Sequence, residues 1–250
     1  MSGPVTITDV EGVRRITLNR PERGNALASD VVEAALVAIE AAPDSGARLL
    51  VLDGAGKHFC TGFDLSDLDT LSDGDLLLRL VRIETLLQAV HHTPIPTVAV
   101  AHGASLGAGA DLLMACQIRL ARPGTRFAFP GAGFGITLGT RRLALRVGSE
   151  RARDLIGSGR RIEAEEALTL GMIAEIVSEG DMDQRIADLA RSYARLDAAT
   201  TARVHALTLP DTREGDLANL VASAARPGLK GRVAAYVQSI AAPRRAGDAP

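Results

Sequence analysis

The run Thr97-Val98-Ala99-Val100-Ala101 passes through His102-Gly103 into the small-residue turn Ala104-Ser105-Leu106-Gly107-Ala108-Gly109-Ala110-Asp111. A helical pattern, Leu112-Leu113-Met114-Ala115-Cys116, follows at once. A strand, a Gly/Ala turn and a helix start aim backbone N–H groups at whatever sits above the turn. Asp111 lies three residues after Ala108, so on a helix its carboxylate shares a face with that exposed amide. The combination predicts an amide that holds an electrophile, with an acid/base group beside it.

The rest of the chain is built to bury such a strand. Leu49-Leu50-Val51-Leu52 is a second apolar run of the kind covered on both faces of a sheet. Val5-Thr6-Ile7-Thr8-Asp9 and Arg14-Arg15-Ile16-Thr17-Leu18 flank a short turn and read as a hairpin. Asp30 with Glu33 forms a capping box that would open a helix through Val32, Leu36 and Ile39, ended by Pro43-Asp44-Ser45-Gly46. Residues 75–92 carry a second amphipathic helix, stopped by Pro94 and Pro96. Residues 117–121 and 126–129 read as further strands, and 131–135 as a flexible glycine stretch. Helices are expected from about 139 to 157 and from 163 to 170, with a short strand at 173–177. From Met182 the pattern is helical, broken at Leu209-Pro210 and Pro227-Gly228, and the tail from Ala242 is expected to fray. Strands alternating with helices predict an α/β fold with crossover connections and a helical C-terminal piece.

Composition narrows the function. A net charge of −2 and 3 % aromatic residues without tryptophan argue against a nucleic-acid or membrane surface. No apolar run reaches the roughly 18 residues of a bilayer span, and the first residues lack a signal-peptide pattern, so the cytoplasm is the expected compartment. Two cysteines, Cys60 and Cys116, cannot build a disulfide framework or a four-ligand zinc site, and the five histidines lack metal-ligand spacing. His91-His92 reads as a solvated helix end. His102 reads as a structural histidine that could also reach the site from its strand end. Gly56-Lys57 is followed by His58 rather than Ser or Thr, and Leu112 stands where a dinucleotide fingerprint needs its third glycine, so phosphate cradles are set aside. What remains is a pair of loops after apolar strands, Cys60-Thr61-Gly62-Phe63-Asp64 and Leu106-Gly107-Ala108-Gly109. Two N–H donors converging from them on one carbonyl oxygen would stabilise an enolate or tetrahedral oxyanion.

Leu18-Asn19-Arg20-Pro21 with Asn25-Ala26-Leu27, then Phe59-Cys60-Thr61-Gly62-Phe63-Asp64-Leu65, then Gly103-Ala104-Ser105-Leu106-Gly107-Ala108-Gly109 together resemble the crotonase family, the enoyl-CoA hydratase/isomerase superfamily. The similarity continues through Arg141-Arg142-Leu143 and Ala164 to Gly171-Met172-Ile173. The resemblance implies a β/α spiral of repeated ββα units, with residues 1–190 as an acyl-CoA-binding core. Residues 191–250 would be a helical region for assembly into a homotrimer or a dimer of trimers. It implies an acyl-CoA thioester substrate and no cofactor beyond the coenzyme A that the substrate carries.

By the same resemblance Phe63 and Ala108 supply the two oxyanion-hole amides. Gly62, Asp64, Leu65, Ser66, Gly107 and Gly131 line the acyl-CoA site, and Ala26 sits near the adenine end. Relatives carry a lysine at the position of Ser66 and a basic residue at that of Glu22, for which Arg23 would substitute. Asp111 falls where the family's first catalytic glutamate stands. The second normally follows a proline, but Pro130 is followed here by Gly131. A single carboxylate suits isomerisation or hydrolysis better than two-glutamate hydration. The alternatives are an acyl-CoA binder without turnover and a hydrolase of a non-CoA ketone.

Overall fold

The computed structural model describes residues 3–241. The chain opens with β1 (Val5–Val10) and β2 (Val13–Leu18), an antiparallel hairpin turned by Glu11 and Gly12, whose φ values of +49° and +79° suit a two-residue turn. Then come α1 (Ser29–Glu40), β3 (Leu49–Gly54), α2 (Asp73–His92), β4 (Thr97–Ala101), β5 (Ala104–Leu106) and α3 (Ala108–Ala115). They are followed by β6 (Ile118–Ala121), β7 (Arg126–Ala128), α4 (Thr140–Val147), α5 (Ser149–Ser158), β8 (Ile162–Glu163), α6 (Ala164–Thr169) and β9 (Glu175–Ile176). Four helices close the described chain: α7 (Met182–Tyr193), α8 (Ala198–Thr208), α9 (Arg213–Ala224) and α10 (Leu229–Ala241).

The strands form a six-stranded sheet in the order β1-β2-β3-β4-β6-β9, parallel from β2 onward, and a three-stranded sheet in the order β5-β7-β8. A repeating unit is plain. β4, β5 and α3 give one strand to the large sheet, one to the small sheet and one helix, and β6, β7 and α4 repeat the pattern. Ahead of them, β3 leads to a single bridge between Cys60 and Ser105 and then to α2. This is the α/β architecture that the strand and helix pattern predicted, in the ββα units that the family resemblance implies.

Alternation along the central strands explains their apolar composition. Leu50, Leu52, Ala99 and Ala101 face the core shared with α1, α2 and α3. Leu49, Val51, Val98 and Val100 face the other way, where Met182, Ile186 and Leu189 of α7 cover them. All four residues of Leu49-Leu50-Val51-Leu52 are at most 2 % exposed, and each such burial contributes about 1.5–3 kcal/mol before entropy is charged against it. A third cluster joins Leu76 and Leu80 of α2 to Ile136, to Leu220 and Ala224 of α9, and to Leu229 and Val233 of α10. Helices α9 and α10 therefore pack on α2 of the same chain.

Several local expectations are corrected. No Asp30/Glu33 capping box forms: α1 is preceded by Ala28, and the two acids are taken by Arg20 and Arg82 instead. The capping box belongs to α2, where Ser72 and Asp75 satisfy each other's backbone amides and start the helix at Asp73. Ala104-Ser105-Leu106 is a short strand, and helix α3 begins at Ala108 rather than Leu112. Residues 130–134 form a 3-10 turn, and Arg232 of α10 donates to the Phe134 carbonyl at 3.1 Å. Gly148, at φ +85°, divides the helical stretch from 140 to 158 into α4 and α5. His91 is not solvated: it is 2 % exposed, 3.1 Å from the Ala115 carbonyl, and burial pushes its pKa down to about 4. The tail from Ala242 lies outside the described residues. Among the described residues no helix is long and apolar enough to cross a membrane.

Candidate active site

The loop after β3 and the strand β5 are stitched side by side. The Cys60 amide donates to the Ala104 carbonyl at 3.2 Å, and the Leu106 amide donates to the Cys60 carbonyl at 3.0 Å. Gly62 follows, at φ +101°, and its carbonyl accepts from the Leu27 amide at 2.7 Å. A Cβ at Gly62 would lie 2.6 Å from the Leu106 carbonyl oxygen and 3.4 Å from the Ala108 nitrogen. Glycine is therefore required there by both conformation and space. Gly109 meets the same limit from the other side, since its Cβ would fall 2.3 Å from the Cys60 carbonyl oxygen. Gly107, at φ +52°, donates to the Ala128 carbonyl at 2.8 Å and sets the start of α3. Ala108 is the first residue of that helix, so its N–H is among those with no acceptor within the helix.

Asp111 stands one turn into α3, its own amide donating to the Gly107 carbonyl at 2.9 Å. Its side chain is 6 % exposed. Burial pushes the carboxyl well above the ordinary aspartate pKa; Arg142 pulls it back, and Glu84 pushes it further up. Glu84 and Arg142 form a buried ion pair behind it. Gly139, at φ +59°, lies directly against Asp111: a Cβ there would meet Oδ1 at 2.1 Å and Cγ at 2.5 Å.

Phe63, Ala108, Asp111, Gly62, Leu65, Gly107 and Gly131 all line one cavity of about 420 Å³. Its walls are mainly apolar, with Leu80, Ile136 and Leu138 from the interior and Tyr236 and Ile240 from α10. Burial raises the Tyr236 phenol pKa, and its ring lies 5.1 Å from that of Phe134. Four further sequence candidates lie outside this lining. Arg23 donates to the Ser66 hydroxyl at 2.7 Å and stands 3.9 Å from Asp64, which accepts from the Ser66 amide at 2.9 Å. Ala26 is buried beside them, its amide donating to the Arg23 carbonyl. His102 also lies outside the cavity, 3.1 Å from the Gly56 carbonyl, with burial lowering its pKa.

Other reactive chemistry is muted. Both cysteines are buried and free, and burial lifts their thiols to about 12, far from a thiolate nucleophile. Among the described residues no three His, Cys, Asp or Glu side chains cluster as metal ligands would.

Sequence reasoning missed Gly139, Leu80 and the α10 wall. Leu80 carried only the amphipathic signal of a core residue, Tyr236 and Ile240 sat in a helical pattern far from the two loops in sequence, and a glycine before a helix says nothing about a carboxylate on another helix.

The comparisons agree with one another. The sequence profile of the enoyl-CoA hydratase/isomerase family matches residues 8–228. The probable enoyl-CoA hydratase echA6 of Mycobacterium tuberculosis is 39 % identical over 190 residues, which cover 75 % of this chain and 76 % of that protein. A probable enoyl-CoA hydratase of Bacillus subtilis is 33 % identical over 193 residues, 75 % of this chain and 74 % of its own. A crystal structure of a Bordetella parapertussis protein superposes with a TM-score of 0.92 at 42 % identity, over 94 % of this chain and 99 % of that one. That of an enoyl-CoA hydratase/isomerase from Xanthobacter autotrophicus Py2 does so with 0.78 at 26 %, over 98 % and 100 %. The chain belongs to the enoyl-CoA hydratase/isomerase family, the crotonase superfamily, with its β/α spiral and helical C-terminal region.

Proposed function

We propose that the protein is an enzyme that binds an acyl-CoA thioester with its carbonyl oxygen accepting from the Phe63 and Ala108 amides, while Asp111 moves one proton. The observation that carries this reading is the shared cavity. The Gly62-Phe63 loop, the Gly107-Ala108 helix start and the buried Asp111 carboxyl all border it, and its apolar walls suit an acyl chain. Paired N–H donors stabilise negative charge that develops on the thioester oxygen when a proton leaves the neighbouring carbon. Burial raises the Asp111 pKa above that of an ordinary aspartate, which makes the carboxylate a stronger base than it would be in water.

Isomerisation then needs no second acid. Asp111 takes a proton from C2 of a 3-enoyl thioester, the C2–H electron pair becomes the new C2–C3 double bond through the held enolate, and the same proton returns to C4. The same carboxylate acting on a water molecule would give hydrolysis. Two-carboxylate hydration is disfavoured because Gly131, which lines the cavity where the family's second glutamate is expected, has no side chain. Arg23, Ala26, Asp64 and Ser66 are assigned to the coenzyme A end. The assembly that goes with this reading is a homotrimer or a dimer of trimers in the cytoplasm, without a cofactor of its own.

The test is to incubate the purified protein with crotonyl-CoA and with a 3-enoyl-CoA, reading binding by calorimetry and products by mass spectrometry. Conversion of the 3-enoyl thioester, or its hydrolysis, is expected and should be lost in Asp111→Ala. Tight binding without any product overturns the enzymatic reading. Undiminished turnover in Asp111→Ala overturns Asp111 as the base.

A further inference from the structure

Gly139 is the residue preceding α4, in the left-handed conformation at φ +59° and ψ −3°, and it offers no side chain to cap that helix. Helix starts usually recruit a Ser, Thr, Asp or Asn there, whose oxygen faces the first amides. Here Asp111 Oδ1 lies 2.1 Å from where a Gly139 Cβ would be, so the carboxyl arriving from α3 fills the space in which a capping side chain would begin. The first amides of α4 carry partial positive charge, and the helix begins at once, with Leu143 N–H donating to the Gly139 carbonyl at 3.1 Å. Leu138 and Thr140, on either side of the glycine, line the cavity together with Asp111.

We propose that Gly139 is a positioning residue: by lacking a side chain it leaves room for the Asp111 carboxyl beside the start of α4, and so fixes the direction in which that carboxyl faces the cavity. The contact is a property of the chain itself; its catalytic meaning rests on Asp111 being the proton carrier. Any side chain at 139 must push the carboxyl off this seat, because the contacts run from Oδ1 through Cγ to Cβ, the last at 2.7 Å.

Gly139→Ala combines a displaced carboxyl with an alanine in the left-handed region. Gly46→Ala separates the two effects, since Gly46 has φ +78° and ψ 7° with nothing within 4 Å of its Cβ position. The expected result for Gly139→Ala is a kcat reduced roughly ten- to a hundred-fold, as for a misplaced catalytic group. KM should change little, the acidic limb of the pH–rate profile should move, and a crystal structure should show the Asp111 carboxyl rotated. Gly46→Ala should retain wild-type kcat and pH profile. If Gly139→Ala does not fold, adding Asp111→Gly removes the Oδ1, Cγ and Cβ contacts together and should restore a folded chain. A double variant that still fails to fold, or a folded Gly139→Ala whose Asp111 carboxyl has not moved, overturns the proposal. A rotated carboxyl with unchanged kcat instead overturns the role of Asp111, and the two failures are thereby told apart.

Discussion

Arg142 grips the Glu84 carboxylate with two guanidinium nitrogens, at 2.6 and 3.0 Å, and both side chains are 1 % exposed. The pair ties α4 to α2. Gln88 donates to Glu84 at 2.9 Å, and Asp216 of α9 stands 3.8 Å from Arg142. Charges taken so far from water stabilise little as a pair, but removing one leaves the other buried and uncompensated. Arg142→Met should therefore cost about 3–5 kcal/mol. At roughly 2–4 °C per kcal/mol for a chain of this size, that is on the order of 10 °C in Tm. Scanning calorimetry on Arg142→Met and on Arg142→Met with Glu84→Leu checks it. The double variant should recover most of the loss, and a double as unstable as the single would refute the argument.

Asp111 makes stability depend on pH. Its folded pKa is raised by burial, so the folded state holds the proton more tightly than the unfolded chain. Stability is then greatest below the unfolded value of about 3.9 and falls as pH rises through the folded value. Asp111→Asn should melt above wild type at pH 8, with the advantage vanishing near pH 4. Tm measured across that interval decides the matter; a difference independent of pH would mean that the carboxyl is not strained by its burial.

Ala108 permits a backbone test of the proposed oxyanion hole. Proline is tolerated in the first turn of a helix, where the lost N–H has no helical acceptor. Ala108 is the first residue of α3. Ala108→Pro should lower kcat by about 10²–10³, the usual effect of deleting one oxyanion donor, and leave Tm within a few degrees. A variant that turns over the wild-type substrate at the wild-type rate would show that this amide does not contact the reacting oxygen.

Leu49-Leu50-Val51-Leu52 and Thr97–Ala101 were legible because near-continuous apolar runs can be satisfied only inside a covered sheet. Gly62-Phe63 and Gly107-Ala108 were legible because glycine marks close approaches, and these two loops do approach. Asp30 misled because the capping pattern reads only neighbours in sequence, whereas Arg20 claims its carboxylate in space. Ala104–Leu106 is too short for a period of two to register, and its strand character comes from Arg126–Ala128 alongside. The Gly139 contact is out of reach of any local pattern, since it joins the starts of two helices on different ββα units.

Tyr236 and Ile240 give the cavity a wall made by α10, held through Arg232 to the turn after Pro130. A ribosome delivers Phe63, Ala108 and Asp111 long before that wall. The cavity lining is therefore complete only with α10 docked, although the residues that border it from the two loops and α3 come much earlier in the chain. A cut between α9 and α10 would thus act on the cavity through its outer wall, since Tyr236 and Ile240 both lie beyond it in the chain.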